Sequence, residues 1–507
     1  MADIDPFEGA PSLPKIVAVS LQQTGHLYNF LAGDRALRRG ERVLVESEAG
    51  ARVGTVEIEP HEPAQTIDLS ALRPIIRIAS DNAIAVFHAD VYQQWIIETK
   101  LWKLHTFIVN DPAGIRHILV DNADNYIKGN IEQRVAAASS GEVFSAGEEW
   151  RDRRRTMSSV LDYRSLPGNS SVIFECTQSL LDRWMRLQPG AVIEVSAEMS
   201  SLTLEIISRL IFSSDSADMA SAMERTFAGT QSDPLFDLLD FAPLLDRPWA
   251  AYKRYRMRRG FRDLTTAIDQ LITKRAHEKP PERSDLLGRL MRERDSASRQ
   301  SLSAEEIHTQ IITVIGAGHQ SVTLALTWIW YLLSLHPAVE AHLQAELDAV
   351  LAGRSPSAED IPRLPYTRTI IEESLRLYPP FPIMAWRGAL ADDEICGVKI
   401  PRGATVTIVP WVLHRHAKLW DYPDRFDPER FSPQRSAGRS RYAYLPFGTG
   451  PRVCIGASFA MMEITLILTS LVQRYRLSIL PDHPVEPQGL VTLRPRYGLK
   501  AALENRV

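Results

Sequence analysis

The sequence predicts a mainly α-helical protein with a smaller β part, and three observations lead there. After Trp150 apolar residues recur at helical spacing for about 200 residues, interrupted only by loop signals such as Pro167-Gly168, Pro189-Gly190, Asp233-Pro234 and Lys279-Pro280-Pro281. Strand-like runs are short and confined to the first 60 or so residues, a stretch near 106, and a few runs after 398. One apolar stretch, 311–335, is long enough to cross a bilayer, but Gly316, Gly318, His319, Gln320 and Ser321 lie in its middle. Hydrocarbon would penalise that polar insertion, so the stretch reads as the central helix of a large core.

Taken in order, residues 15–20, 43–46 and 54–58 read as strands, with Gly33-Asp34, Arg39-Gly40 and Ala49-Gly50 as turns between them. The polar link Pro60-His61-Glu62-Pro63 closes this run. The expected division is a β-rich extension or small protein-interaction module over 1–64 and a main domain over 65–507. The main domain opens with a helix over 89–97, an extended run over 106–109 that stops at Asp111-Pro112, and a helix over 113–121. Strands return at 398–400 and 404–409, and residues 490–493 are strand-like. No internal repeat or low-complexity tract is present.

Composition narrows the class. The 507 residues are 45% apolar, enough for a substantial core, and the net charge of −4 carries no basic bias toward nucleic acid. Three cysteines, Cys176, Cys396 and Cys454, argue against a disulfide framework and for a reducing, cytoplasmic setting. The acidic start, Met1 to Pro6, has neither a signal pattern nor an anchor helix.

One cysteine stands in an unusual context: Phe447-Gly448-Thr449-Gly450-Pro451-Arg452-Val453-Cys454-Ile455-Gly456, followed directly by an apolar helical pattern. Glycines let backbone N–H groups turn toward sulfur, a helix N-terminus favours an anion, and Arg452 adds positive charge, so the loop can hold a thiolate on a metal. A core cysteine needs none of these at fixed offsets. The loop resembles the haem-binding signature F-x-x-G-x-R-x-C-x-G of the cytochrome P-450 family of haem-thiolate monooxygenases, at every fixed position. The resemblance runs from about residue 66 to the end and implies the family's fold, haem b (iron protoporphyrin IX) as cofactor, and Cys454 as iron ligand.

Three distant segments agree with it. Glu373 and Arg376 form E-x-x-R on one helix face, and Phe426-Asp427-Pro428-Glu429-Arg430-Phe431 is similar to the family's meander, so Glu373, Arg376 and Arg430 are expected to make a buried charge triad that locks the fold. Trp150 and Arg154 match W-x-x-x-R, and with Arg387 and Arg452 the resemblance assigns them to the haem propionates. Phe447 and Gly456 complete the cofactor loop. Arg151, Arg153 and Arg155 read either as a solvated face or as a docking surface for an acidic electron donor.

The 311–335 helix resembles the family's oxygen-binding helix, where Ala317 and Gly318 would open a groove for dioxygen. The usual acid of that helix is replaced by Gln320, which hydrogen-bonds but does not exchange protons near neutral pH, while Ser321 retains a hydroxyl. Protons would then travel by water ordered on Gln320 and Ser321, by His319, or by a polar group of the substrate. By resemblance the substrate wall includes Phe381, Ile383 and Met384, residues 490–493 with Val491 and Thr492, and a loop over 128–138. These are mostly apolar and suit a lipid, terpenoid or aromatic compound.

The sequence therefore predicts a soluble monooxygenase that uses O2 and an apolar small molecule, with electrons from a separate ferredoxin and ferredoxin reductase, since only about 50 residues follow Cys454. Two alternatives stay open. A peroxide-driven enzyme is suggested by the missing acid, and a haem-based sensor or binding protein by the N-terminal segment.

Overall fold

The computed structural model describes residues 16–21, 27–31, 42–47, 50–61, 75–76, 82, 84, 87, 89–101, 104–128, 147–160, 169–213, 219, 223, 246–277, 285–293, 301–489 and 491–506. The chain divides into two units, one of Met1–Phe87 and a larger one of His88–Leu235 with Leu239–Val507.

In the first unit, runs rich in β-branched residues form an antiparallel sheet of β1 (Ile16–Leu21), β2 (Leu27–Leu31), β3 (Arg42–Ser47), β4 (Gly50–His61) and β5 (Ile75–Ile76), in the order β2-β1-β4-β3-β5. The sequence reading lacks β2, whose Leu-Tyr-Asn-Phe-Leu has no β-branched residue, and β5, which pairs Ile75 with Val45 beyond residue 64.

The larger unit carries the remaining strands: β6 (Ile96–Leu101), β7 (Leu104–Val109), β8 (Tyr126–Lys128), β9 (Ala191–Glu194), β10 (Ala385–Ala389), β11 (Asp393–Ile395), β12 (Val398–Ile400), β13 (Thr405–Ile408), β14 (Tyr475–Ile479), β15 (Pro487–Gly489), β16 (Leu493–Pro495) and β17 (Lys500–Asn505). Its main sheet runs β6-β7-β13-β10-β8, with β7 and β13 parallel. The helix expected over 89–97 is instead a single 3-10 turn, Ala89–Tyr92, followed by β6. The β-branched Ile96, Ile97 and Thr99 find cross-strand partners on β7, Ile97 opposite Ile108, and that pairing outweighs the local helical spacing. Of the run expected as strand over 490–493, Leu490 lies outside the described residues and Leu493 begins β16, but β15 and β16 pair Gly489 with Leu493, so Val491 and Thr492 lie in a hairpin turn.

The longer helices are α1 (Gly147–Val160), α2 (Asn169–Trp184), α3 (Val195–Phe212), α4 (Asp246–His277), α5 (Leu286–Arg292), α6 (Ala304–Leu335), α7 (Pro337–Leu351), α8 (Pro365–Leu377) and α9 (Ala457–Val472). A capping box starts α6, in which Ser303 Oγ accepts from the Glu306 N–H and the Glu306 carboxylate accepts from the Ser303 N–H. Among the described residues α6 is the one helix long and apolar enough to cross a bilayer. Trp328 and Trp330 near its C-terminal end are fully buried, and it runs through the core. One apolar cluster joins α2 and α3 to the second half of α6, to α7, α8 and α9, and to β14 and β17. A second joins α3, α4 and α5 to the first half of α6.

Candidate active site

The loop before α9 is folded by its own backbone. The Cys454 N–H donates to Phe447 O at 2.8 Å and the Val453 N–H to Gly450 O at 3.1 Å, which brings the cysteine to the helix N-terminus. Gly450 has φ +71°, and a Cβ there would stand 2.0 Å from the Leu119 carbonyl oxygen, so no other residue fits the position. Ile455 packs on the cluster that contains Ile311 and Ile315, tying the loop to α6.

Cys454 is accessible along one side and enclosed by protein on the rest. Enclosure pushes its thiol pKa up, opposed by the Gly456 N–H that donates to the sulfur and by the Arg154 charge. Cys176 differs: it is buried, and burial pushes its pKa up to about 12. Cys396 lies in the turn between β11 and β12 and donates to Asp111 Oδ1 at 3.3 Å.

Helix α1 brings two more predicted residues to this loop. Arg154 Nη2 donates to the Val453 carbonyl at 2.6 Å, and one turn earlier the Trp150 ring lies 4.0 Å beneath the Arg452 guanidinium. Arg387 is buried in β10, between Lys128 of β8 and Val406 of β13.

Glu373, Arg376 and Arg430 come together. Arg376 donates through Nε and Nη2 to both oxygens of Glu373, at 2.6 and 2.8 Å, and both side chains are fully buried. Arg376 Nη1 also donates to the carbonyls of His414 and Pro423, and the Asp427 N–H donates to Glu373 Oε1. Arg430 Nε stands 3.3 Å from Glu373 Oε1, near enough for charge pairing but without hydrogen-bond alignment. These bonds fasten α8 to the segment over 414–430.

Across α6 the predicted oxygen-handling residues separate into two sides. Gly316 and Ala317 are exposed in the middle of an otherwise largely buried helix. The Ser321 hydroxyl donates to Ala317 O at 2.8 Å, and Gln320 is half-buried. His319 is turned away, two residues and roughly 200° round the helix from Ala317. Its ring contacts Thr203 and Ser200 of α3, and burial lowers its pKa to about 4. The expectation that His319 delivers protons to the groove therefore has no support in its placement, because the helix period turns it toward α3.

Among the predicted wall residues, Phe381 and Val491 are exposed apolar side chains, 38% and 48%, and Ile383 and Met384 are half-buried. The Leu493 N–H donates to Pro380 O and Trp328 Nε1 to Leu493 O, each at 2.9 Å, which anchors the β15–β16 hairpin beside the 380–384 segment. Thr492 is buried at 5%, so the hairpin presents Val491 and keeps Thr492 inside. Of the 128–138 loop, Lys128 ends β8, and the rest lies outside the described residues.

Among the described residues no group of three His, Cys, Asp or Glu side chains is arranged to hold a metal ion. A single sulfur with an N–H donor and a cation beside it suits an iron whose other ligands come from a macrocycle. The exposed Gly316 and Ala317 suit a planar group, so the residues fit haem, whereas Gly318, expected to share that groove, faces α3, where a Cβ would stand 2.6 Å from Ile207 Cδ1.

Fold and site together define a haem-thiolate protein. The family model described as cytochrome P-450 matches residues 75–501. The chain is 33% identical to pentalenene oxygenase of Streptomyces avermitilis over 418 residues, 81% of this chain and 90% of that protein. It is 32% identical to cyclooctatin synthase of Streptomyces melanosporofaciens over 432 residues, 84% of this chain and 90% of the relative. The solved heme domain of cytochrome P-450DA superposes with a TM-score of 0.69 at 24% identity, covering 82% of this chain and 90% of that one, a likeness of fold. The chain belongs to the cytochrome P-450 family, an oxidoreductase family whose members hold haem through a cysteine thiolate.

Two features of the site escaped the sequence reading. Ser200 and Thr203, the partners of His319, are ordinary helix residues more than 100 positions away, and nothing local marks them. Glu463 is buried in α9, where burial raises its pKa to about 8, and a lone acid in the apolar run after Cys454 was a visible signal.

Proposed function

We propose that the protein is a cytoplasmic monooxygenase that places one atom of O2 into an apolar, unsaturated carbon skeleton of terpenoid kind, using electrons from a separate ferredoxin and ferredoxin reductase. The observation that carries this reading is the thiolate loop of Cys454, paired with a bare stretch of α6 and apolar exposed side chains such as Phe381 and Val491. The names of the two bacterial relatives, an oxygenase of pentalenene and a synthase of cyclooctatin, support the substrate class.

Haem, when bound, supplies the iron centre that activates dioxygen, with electron density pushed from the thiolate. Cys454 provides that thiolate, and Arg154 and the Gly456 N–H stabilise its charge. Trp150, Arg154, Arg387 and Arg452 hold the carboxylate groups of haem b by charge and hydrogen bonds. Gly316 and Ala317 leave room beside α6. The Ser321 hydroxyl, held on Ala317 O, can turn to orient a water, and Gln320 can donate to it and accept from it. Phe381, Ile383, Met384 and Val491 exclude water from an apolar ligand. Arg151, paired with Asp124 at 2.7 Å, begins the basic face of α1 that suits an acidic electron donor.

The test is the spectrum of the reduced carbon monoxide complex of purified protein, together with a screen of terpenoid ligands by shift of the haem band. A thiolate-type band that disappears in Cys454→Ala, with type-shift binding of unsaturated hydrocarbons, is expected. A protein that takes up no haem refutes the reading. Gln320 in the place of the usual acid favours one alternative, a peroxide-driven reaction; turnover with peroxide that exceeds turnover with reductant and O2 would establish it.

A further inference from the structure

His319 is the centre of a buried polar cluster to which the reading above gives no task. Its ring is 2% exposed, with Nδ1 3.0 Å from Thr203 Oγ1 and Nε2 3.4 Å from Ser200 Oγ. Thr203 Oγ1 lies 2.7 Å from Thr323 Oγ1, and the Thr323 hydroxyl reaches 3.1 Å back to the carbonyl of His319 itself. Ser200 and Thr203 belong to α3, and His319 and Thr323 to α6. The side chains close a ring across the α3–α6 interface that ends on the α6 backbone.

Counting protons gives the state of the ring. The Thr203 hydroxyl also lies 3.0 Å from Met199 O and 3.3 Å from Ser200 O, so its one proton goes either to Thr323 Oγ1 or to the α3 backbone, and in either arrangement its oxygen can accept from the His319 Nδ1–H while Ser200 donates to Nε2. A neutral imidazole, donor at Nδ1 and acceptor at Nε2, fits both arrangements. Burial disfavours the charged ring, in agreement.

The cluster stands behind the part of α6 with the least internal support. Gly316, Ala317 and Gly318 carry almost no side chain, and the hydroxyls of Ser321 and Thr323 bond the carbonyls of Ala317 and His319, a pattern that loosens and bends helices. A Cβ on Gly318 would stand 2.6 Å from Ile207 Cδ1, so α3 presses close at this point. A stretch this pliable holds one shape only with support from outside the helix.

We propose that His319 is a positioning residue which, through Thr203 and Thr323, braces the 316–321 stretch of α6 against α3 and so fixes the groove formed by Ala317, Gln320 and Ser321. It carries no proton to that groove. The use of the groove for dioxygen rests on the monooxygenase reading, but the bracing does not, and the first measurement below is independent of turnover.

That measurement is amide hydrogen exchange on the haem-loaded protein and on His319→Leu, His319→Asn and Thr203→Val. Leucine removes both ring hydrogen bonds, whereas asparagine returns an N–H near the place of Nδ1. Exchange over 316–323 rises at least about tenfold in His319→Leu and in Thr203→Val, since tenfold is the effect of a single lost buried hydrogen bond and each variant loses more than one, while α9 keeps its protection. His319→Asn recovers most of the protection, and the share of reductant diverted to hydrogen peroxide rises several-fold only in the unprotected variants. Nitrogen NMR of the ring reports the neutral Nδ1–H form from about pH 5.5 to 8. Unchanged exchange over 316–323, or a rise spread evenly along the chain, overturns the proposal. So does titration of His319 near its ordinary value with a matching shift in the pH profile of turnover. Thr203→Val carries the test if His319→Leu does not fold.

Discussion

Replacing Glu463 by Gln should remove a pH dependence of stability that the wild-type protein carries. Glu463 is 4% exposed in α9, among Ile464, Leu466, Ile467 and the other buried residues of that helix. Burial pushes its pKa up to about 8, and no charged neighbour contributes to the shift. In the unfolded chain the same carboxyl ionises near its ordinary value of 4.5. Between those two values the folded state holds a proton that the unfolded state has released. The stability Glu463 contributes is therefore complete below about pH 4.5 and is lost as pH rises to about 8, at roughly 1.4 kcal/mol per pH unit and up to about 5 kcal/mol in all. Glutamine keeps the shape of the protonated side chain and cannot ionise. The assay is urea unfolding of the haem-loaded wild type and of Glu463→Gln at intervals from about pH 5 to 9, taking the difference at each pH so that other titrating groups cancel. The variant's advantage should grow steadily to about pH 8 and then level. A difference that stays constant over this range would show that Glu463 is ionised in the folded protein and refute the reasoning.

Other changes test other parts of the site. Glu373→Gln leaves Arg376 and Arg430 buried without a carboxylate, which should cost roughly 3–5 kcal/mol and weaken haem retention. A loss under about 1 kcal/mol in denaturant unfolding would show that the carbonyls of His414 and Pro423 alone satisfy Arg376. Gln320→Glu restores an exchangeable proton beside Ser321 and should raise product formed per reductant consumed. Unchanged or lower coupling would mean that water already delivers protons without an acid.

Much of the site could be read from the sequence because its chemistry is written in short contiguous spacings. The Cys454 loop needs glycines at 448 and 450, where φ is +72° and +71°, and the E-x-x-R and W-x-x-x-R pairs lie on single helix faces. The helical majority was equally clear from periodicity. The failures came where pairing within a short hairpin overrode the single-segment pattern: β7 draws Ile96 and Ile97 into a strand, and β15 pairs with β16 so that Val491 and Thr492 become a turn.

By itself the sequence pointed to the cofactor class and the family and singled out Cys454 as the candidate ligand, since ten contiguous residues carry the pattern of a thiolate loop. Only the tertiary structure decided which way side chains on one helix work. Ala317 is exposed while His319, two residues on, is committed to Thr203 and Ser200, because α3 packs on one side of α6 and not on the other. It also decided the burial of Glu463, whose proton affinity depends on helices packed around α9 rather than on its neighbours in the chain.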